Sequence, residues 1–224
     1  MKIPTLMLRE ALASVEEVRN ANLLEVIVAN DGSPDDETRE ILSELEEAGY
    51  CLVAQPNSGL GTARNTGIRL ARGDFILPLD SDNRVRDAYL NEAASLLKDN
   101  PSLDVIYADA EYFGDGSGRW QIPEFDLLSF IRMNFIDACA AYRKSPWEKV
   151  GGYDEHMPSM GWEDWDFWLR LAFHDGTFVQ LPRVGFDYRV RNDSLRLKVH
   201  QHASDFVNYI FGKPEMACYT ASAP

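Results

Sequence analysis

The sequence has few cysteines, and they do not follow the spacing of a cross-linked or zinc-bound fold. Cys51, Cys139 and Cys218 are the three cysteines among 224 residues. An odd number at wide spacing fits neither a disulfide framework nor a zinc cluster. Such usage is typical of the reducing cytosol, so we expect a cytoplasmic protein.

Long apolar runs are lacking as well. No uncharged apolar stretch approaches the roughly 20 residues that a membrane-spanning helix needs. Residues 1–17 contain acidic side chains and no apolar run of signal-peptide length, so we expect no export signal. We therefore expect no transmembrane segment, while peripheral association with a membrane enzyme or a lipid-linked substrate stays open.

Basic residues are outnumbered by acidic ones. Lys and Arg number 22 against 36 Asp and Glu, which gives a net charge of −14. This charge repels nucleic acid and anionic lipid, so we expect no nucleic-acid partner. One late window differs, because it is locally basic; it contains Arg183, Arg189, Arg191, Arg196 and Lys198. It has two interpretations, a solvated strand and loop or a local positive charge for a phosphorylated ligand.

The sequence does contain strands alternating with helices. The apolar runs 25–30 and 74–79 are typical of strands buried in a parallel sheet. Between them, a helix is predicted from Ser33 and Pro34, its cap and first position, up to Gly49. Further strands are predicted at 136–142, 177–181 and 186–190. The pattern predicts an α/β fold with a doubly wound, mostly parallel sheet. We expect one domain over residues 1–212, with two halves at 1–110 and 111–212, and a tail at 213–224.

Polar clusters follow two predicted strands, at 30–33 and 80–83, where ligands bind in such sheets. Asp80 and Asp82 place two carboxylates two residues apart. Two like charges this close are costly unless a cation lies between them, and oxygen ligands favour Mg²⁺ or Mn²⁺. The alternative is an ordinary strand-to-helix turn with capping acids.

Two further segments carry candidate residues. In the glycine-rich segment 57–67, glycines allow close approach of a ligand and Arg64 supplies a cation, although a surface loop with a solvated arginine is the alternative. In the segment 161–166, Trp162 precedes a helix that is predicted over 163–173, and Glu163 and Asp164 lie in its first turn. On that helix at least two of the three tryptophans, counting Trp165 and Trp168, are expected in the core. Asp166 is expected to pair with Arg170 four residues later.

Taken in order, these segments resemble the family 2 glycosyltransferases of the GT-A fold. The matching segments are VANDGSPD (28–35), NSGLGTARNTGI (57–68), ARGDFILPLDSDN (71–83), GGYDE (151–155) and WEDWDFWLRL (162–171). The resemblance implies a Rossmann-like mixed, mostly parallel sheet flanked by helices, in which the half at 1–110 is nucleotide-binding and the half at 111–212 is acceptor-binding. It also implies an enzyme that moves a sugar from a nucleoside diphosphate donor to an acceptor hydroxyl with inversion, in the synthesis of a cell-surface glycan or polysaccharide.

The resemblance also implies roles for single residues. Asp31 contacts the nucleoside base, Arg64 lies beside it, and Asp80 lies near the ribose and sugar. Asp82, with Asp80, holds Mg²⁺ or Mn²⁺, and Asp164 is the catalytic base. The other predicted substrate contacts are Trp162, Glu163 and Arg191.

The sequence departs from the family pattern at two places. The first strand is shortened, since Met1–Thr5 leads almost at once into the helix that begins near Leu8. A histidine that often follows the Tyr188-Arg189 position is absent; Arg191 can bind phosphate instead, and the nearest histidines are His200 and His202. The alternative function is an inactive relative that binds nucleotide or sugar without turnover. A nucleotidyltransferase would require a basic phosphate loop after the first strand, and none is present.

Overall fold

The computed structural model describes residues 5–16, 24–158, 160–192 and 203–216. The helices are α1 (Thr5–Ala13), α2 (Asp36–Glu47), α3 (Leu60–Leu70), α4 (Asp87–Asp99), α5 (Leu127–Arg132), α6 (Lys144–Lys149), α7 (Glu163–Phe173) and α8 (Ala203–Phe211), followed by a 3-10 turn (Pro214–Met216). The strands are β1 (Ile27–Asn30), β2 (Cys51–Ala54), β3 (Phe75–Ile76), β4 (Arg84–Val85), β5 (Val105–Gly114), β6 (Gly118–Trp120), β7 (Ala141–Arg143) and β8 (Phe178–Val190).

These strands form two sheets. The first contains β1 and β2 in parallel. The second has the order β3-β7-β5-β8-β4, with β6 added beside β5. Within it, β5 runs parallel to β8 and antiparallel to β6 and β7. The predicted α/β fold with a mixed sheet and flanking helices is therefore confirmed.

Several elements differ in length from the sequence prediction. Only Phe75 and Ile76 of the predicted strand 74–79 enter a ladder, with β7. The predicted strand 136–142 is limited to Ala141–Arg143. In contrast, the two short strands predicted at 177–181 and 186–190 form one continuous β8, because both halves pair with β5 across an irregularity near Asp109.

The cap of α2 lies two residues later than predicted. Asp35, not Ser33, is the cap, and its side chain accepts a hydrogen bond from the Thr38 backbone N–H. Ser33 instead donates its backbone N–H to the Asn30 side chain. The shift leaves residues 31–34 outside the helix, as a loop at the carboxyl end of β1.

Helix α7 lies at the centre of the larger of two apolar clusters. Trp165 and Trp168 are 3% and 0% exposed, which confirms that two of the three tryptophans belong to the core. The Asp166–Arg170 pair is also confirmed, with Arg170 Nε donating to Asp166 Oδ2 at 2.9 Å. Because residues 165–171 of this helix are buried, the carboxylates at its first turn have a fixed position.

Helices that could cross a membrane are not found in the described parts of the chain. Cys139 is buried and Cys51 exposed, and both are free thiols. Cys218, His200 and His202, Arg196 and Lys198, and nearly all of the predicted shortened first strand lie outside the described residues; Thr5 already belongs to α1.

Candidate active site

Three parts of the chain meet at one cavity of about 1140 Å³. Arg64 comes from α3, Asp80 and Asp82 from the segment after β3, and Asp164 from the first turn of α7. Trp162 and Glu163 line the same cavity. Residues separated by up to a hundred positions in the sequence thus line one cavity, as the family resemblance predicts.

Arg64 joins the two acidic motifs. Its Nη2 donates to Asp80 Oδ1 at 2.8 Å and its Nη1 donates to Glu163 Oε1 at 2.7 Å. Burial opposes the charge of Arg64, but Asp80 and Glu163 outweigh it and raise the pKa of the guanidinium well above its ordinary value. Arg64 is therefore a permanent cation that fixes the distance between the Asp80 segment and α7.

Loss of the Arg64 guanidinium is expected to destabilise the fold. The side chains of Arg64 and Glu163 are 11% and 5% exposed, so Arg64→Met leaves the Glu163 carboxylate buried without its partner. Breaking such a pair costs about 3 kcal/mol. Urea unfolding measures this free energy. Arg64→Met combined with Glu163→Gln removes the unpaired charge, and a double variant as unstable as the single one would contradict the ion-pair account.

Asp80 and Asp82 lie two residues apart in the segment that follows β3. Burial raises the pKa of Asp82, and the charge of Asp80 raises it further. Arg191 lowers it, since its Nη1 lies 3.9 Å from Asp82 Oδ2. The repulsion between the two carboxylates is what a divalent cation relieves. A magnesium site commonly uses one or two carboxylates together with substrate phosphates and water, so these two residues fit such an ion. Within the described segments, no group of three or more His, Cys, Asp or Glu could hold a metal on its own.

The late basic window divides into two parts. Arg191 lies beside Asp82, and Arg189 donates from Nε to the Asp82 backbone carbonyl at 2.8 Å. Arg189 also pairs with Glu10 of α1. Arg183 instead pairs with Glu92 on α4, at 2.9 Å. The arginines near the carboxyl end of β8 thus supply positive charge at the acidic pair, whereas Arg183 is a surface residue of the strand.

Asp164 lies in the first turn of α7, half-buried at the cavity wall. Its Oδ1 accepts from the Trp165 backbone N–H at 2.7 Å and its Oδ2 from Asn134 Nδ2 at 3.2 Å. Burial raises the pKa of Asp164 well above its ordinary value, the charge of Glu163 adds to this effect, and Arg64 opposes it. A carboxylate with a raised pKa accepts a proton more readily, which is what a general base requires.

The two residues before Asp164, Trp162 and Glu163, differ in their contacts. Both oxygens of Glu163 are engaged, one by Arg64 and the other by the Gly161 backbone N–H at 2.7 Å. Trp162 is partly buried and stacks on Phe206 of α8, with ring centroids 5.2 Å apart. Glu163 therefore anchors the site, while Trp162 presents an aromatic ring to the cavity.

Asp31 connects two loops. Its carboxylate accepts from the backbone N–H groups of Ser58 and Gly59, at 2.8 and 2.9 Å, and from Gln55 Nε2 at 2.7 Å. Gly32 has a φ of +76°, and a Cβ there would lie 2.7 Å from the Asn57 backbone nitrogen, so the close approach of the loops requires glycine. Asp31 shapes the start of α3; its contact with a nucleoside base stays a prediction.

Asn65 connects two of the sequence motifs. Its Oδ1 accepts from the Tyr153 backbone N–H and from Trp147 Nε1, at 2.9 and 3.0 Å, and its Nδ2 donates to the Tyr153 carbonyl. The residue is 1% exposed. It holds the turn at Gly152, which lies next to the cavity residues of α3.

Sequence reasoning missed Asp137 and Asn134, both of which line the cavity. Burial raises the pKa of Asp137 to about 7, with a further contribution from the charge of Asp80. The sequence predicts a strand over 136–142, and an acid within a strand does not by itself indicate a functional site. The one available signal was an aspartate within the otherwise apolar run 135–142.

Comparisons with known proteins agree with this geometry. The family model described as glycosyl transferase family 2 matches residues 6–151. The chondroitin synthase of Pasteurella multocida (strain Pm70) is 26% identical over 181 residues, which are 78% of this chain and 18% of that protein. The putative glycosyltransferase EpsH of Bacillus subtilis (strain 168) is 32% identical over 106 residues, which are 46% of this chain and 30% of that protein. The chain thus matches less than a third of the length of these relatives.

Solved structures share the fold. A crystal structure of S. aureus TarS 1-349 in complex with UDP-GlcNAc superposes with a TM-score of 0.68 at 22% identity, covering 84% of this chain and 56% of that one. The complex of the same protein with UDP gives a TM-score of 0.67 at 20% identity, covering 97% and 71%. With the family model matching well over half of the residues, the chain belongs to glycosyl transferase family 2.

Proposed function

We propose that this chain is an inverting glycosyltransferase that moves a sugar from a nucleoside diphosphate to an acceptor hydroxyl in the synthesis of a polysaccharide or other cell-surface glycan. The observation that carries the proposal is that Asp80, Asp82 and Asp164 line a single cavity, with Arg64 bridging Asp80 to the helix of Asp164. The names of the relatives, a chondroitin synthase and a UDP-GlcNAc complex, support this substrate class.

The two halves of the proposed site have different tasks. The half at 1–110 binds the nucleotide, and the half at 111–212 receives the acceptor. Asp80 and Asp82 would hold Mg²⁺ or Mn²⁺, which would supply positive charge for the leaving diphosphate. Arg191 adds a second positive charge beside them. Trp162 offers its ring face to a sugar.

In the proposed reaction, the acceptor oxygen attacks the anomeric carbon while the bond from that carbon to the diphosphate breaks. The proton of the acceptor hydroxyl passes to the Asp164 carboxylate. The electron pair of the broken bond stays on the nucleoside diphosphate. Because attack and departure occur on opposite faces of the sugar, the anomeric configuration inverts. Asn134 and the Trp165 backbone N–H keep Asp164 oriented for this step.

The pH dependence follows from the raised pKa of Asp164. The base must be deprotonated, so kcat/KM is expected to fall as the pH drops through that pKa, at a pH well above the ordinary carboxylate value of about 4. Asn134→Ala removes a hydrogen bond to the charged form and is expected to move this acid limb to higher pH. Nucleotide affinity measured at each pH separates this effect from protonation of Asp82. An acid limb near 4 would contradict the assignment.

A calorimetric titration tests the proposal. Nucleoside diphosphates with each of the common bases are titrated into the protein with and without Mn²⁺. We expect one of them to bind with a Kd that Mn²⁺ lowers. Binding without any donor turnover would favour the alternative of an inactive nucleotide-binding relative, while absence of binding to every nucleotide would exclude both.

A further inference from the structure

Three basic side chains are found among the described residues that line the cavity, namely those of Arg64, Arg132 and Arg189. Arg64 and Arg189 are each held by ion pairs with acidic residues. Arg132 makes no ion pair and no side-chain hydrogen bond with any residue that the structure describes. Within that part of the chain, Arg132 is therefore the cavity cation whose charge is not already neutralised.

Arg132 is not needed to end its own helix, α5. The last turn closes when the Met133 backbone N–H donates to the Ser129 carbonyl at 3.2 Å. At the other end, Asp126 accepts from the Ser129 N–H at 2.8 Å, and this bonding is the main cause of its lowered pKa. A cation in the last turn also suits the helix dipole. That effect would be the same for an arginine facing away from the cavity.

The segment that contains Arg132 is anchored to α7 on both sides of that residue. Before it, the fully buried Phe130 accepts at its carbonyl from Trp165 Nε1 at 2.9 Å. After it, Asn134 Nδ2 donates to Asp164 Oδ2 at 3.2 Å. Because Arg132 lies two residues from each anchor, its backbone is fixed on the wall that also contains the proposed base.

The Arg132 side chain lies where an acceptor would enter. It is exposed and also lines the cavity, so its guanidinium is at the rim. Met133, which is 66% exposed, lines the cavity beside it. The hydrogen bonds of Asp164 go to Asn134 and the Trp165 N–H, which leaves the Arg132 guanidinium available to a ligand. A cation beside an apolar side chain suits a sugar unit that carries an anionic group.

We propose that Arg132 binds an anionic group of the acceptor, a carboxylate or a phosphate, so that the sugar is transferred to an acidic glycan. This role rests on the proposed function, since the acceptor is that of the proposed reaction. The planar guanidinium can donate two parallel hydrogen bonds to either group. The net charge of −14 repels such an acceptor at a distance, so Arg132 selects it by contact at the site.

The test compares matched sugars that differ in one group. The methyl glycosides of glucose, galactose and mannose are each prepared as the neutral sugar, the 6-carboxylate and the 6-phosphate. Their Kd values are measured by calorimetry with nucleoside diphosphate and Mn²⁺ present. In at least one configuration we expect an acidic form to bind about fivefold more tightly than the neutral form, as for a partly exposed ion pair. In about 1 M salt we expect this preference to fall below about twofold. The acidic form with the larger preference identifies the anionic group.

The matched variants are Arg132→Gln and Arg39→Gln, which change the net charge equally. Arg39 is an exposed arginine of α2 that does not line the cavity. We expect Arg132→Gln to lose the preference for acidic sugars and Arg39→Gln to keep it. Because the Arg132 side chain makes no hydrogen bond with the described residues, its replacement is not expected to unfold the protein.

Three results would overturn the role of Arg132. The first is that no acidic sugar binds more tightly than its neutral form, including the case in which none binds. The second is that Arg132→Gln keeps the preference. The third is that Arg39→Gln loses it to the same extent, which would indicate an effect of total charge. Failure of the proposed function is distinct, because it removes Mn²⁺-dependent nucleotide binding from the wild type, whereas these three results leave that binding intact.

Discussion

Asp164→Asn is expected to lower turnover by about 10³-fold, the typical contribution of a general base. Asparagine has nearly the same shape but accepts no proton at neutral pH. It can still accept the hydrogen bond from the Trp165 backbone N–H, so the first turn of α7 is expected to stay in place. The Kd for nucleoside diphosphate is expected to change less than about threefold, because Asp164 lies on the acceptor side of the proposed reaction.

The matched control for this variant is Asp87→Asn. Asp87 is also an aspartate in the first turn of a helix, α4, but it does not line the cavity. We expect it to keep wild-type turnover. Wild-type turnover by Asp164→Asn would remove Asp164 from the role of base, and equal losses in the two variants would indicate a general effect of first-turn carboxylates on stability.

Asp82→Asn is expected to abolish the effect of Mn²⁺ on nucleotide binding. Loss of a residue that only orients a metal ligand already costs 10- to 100-fold, so loss of a proposed ligand is expected to weaken Mn²⁺-dependent binding by at least about 100-fold. Turnover is expected to fall at least as far, because the leaving diphosphate then lacks its main neutralising charge.

The metal-free measurement is the control for Asp82→Asn. Without Mn²⁺ we expect the variant to bind nucleotide at least as well as the wild type, since one negative charge near the diphosphate is gone. Unchanged enhancement by Mn²⁺ in the variant would contradict the assignment of Asp82 as a ligand. Weaker binding by the variant in the absence of metal would indicate that Asp82 contacts the nucleotide directly.

Local patterns predicted the elements and motifs that depend on neighbouring residues. The first turn of α7 at Glu163, the two carboxylates after β3 and the core positions of Trp165 and Trp168 all follow from residues within a few positions of one another. The family resemblance placed these motifs in one site. The mixed sheet follows from the same resemblance.

Features that depend on distant pairing could not be predicted in this way. The Arg64–Glu163 ion pair joins residues 99 positions apart, and nothing local distinguishes it from a solvated arginine. Asp137 enters the site only because the chain around it does not form the predicted strand. β8 is continuous because of its partner β5, and β3 ends early because residues 77–79 find no partner in the described chain. In each case the outcome depends on which strand or charge lies opposite.

The net charge of −14 affects large and small anionic ligands differently, because they meet different parts of the charge distribution. It disfavours long polyanions, which meet the field of the whole surface. A compact diphosphate meets the field of the site, where Arg189 and Arg191 lie at Asp82. The acidic residues at the cavity are therefore compatible with a phosphorylated donor when a divalent cation accompanies it.

The most direct test of the central claim is the anomeric configuration of the sugar released from the donor. Proton NMR is used to follow the protein with Mn²⁺ and α-linked nucleoside diphosphate sugars, with water serving as a slow acceptor. We predict that the first sugar released is the β anomer and that Asp164→Asn releases it about 10³-fold more slowly. Release of the α anomer, or no release from any donor that binds, would contradict the account of an inverting glycosyltransferase with Asp164 as its base.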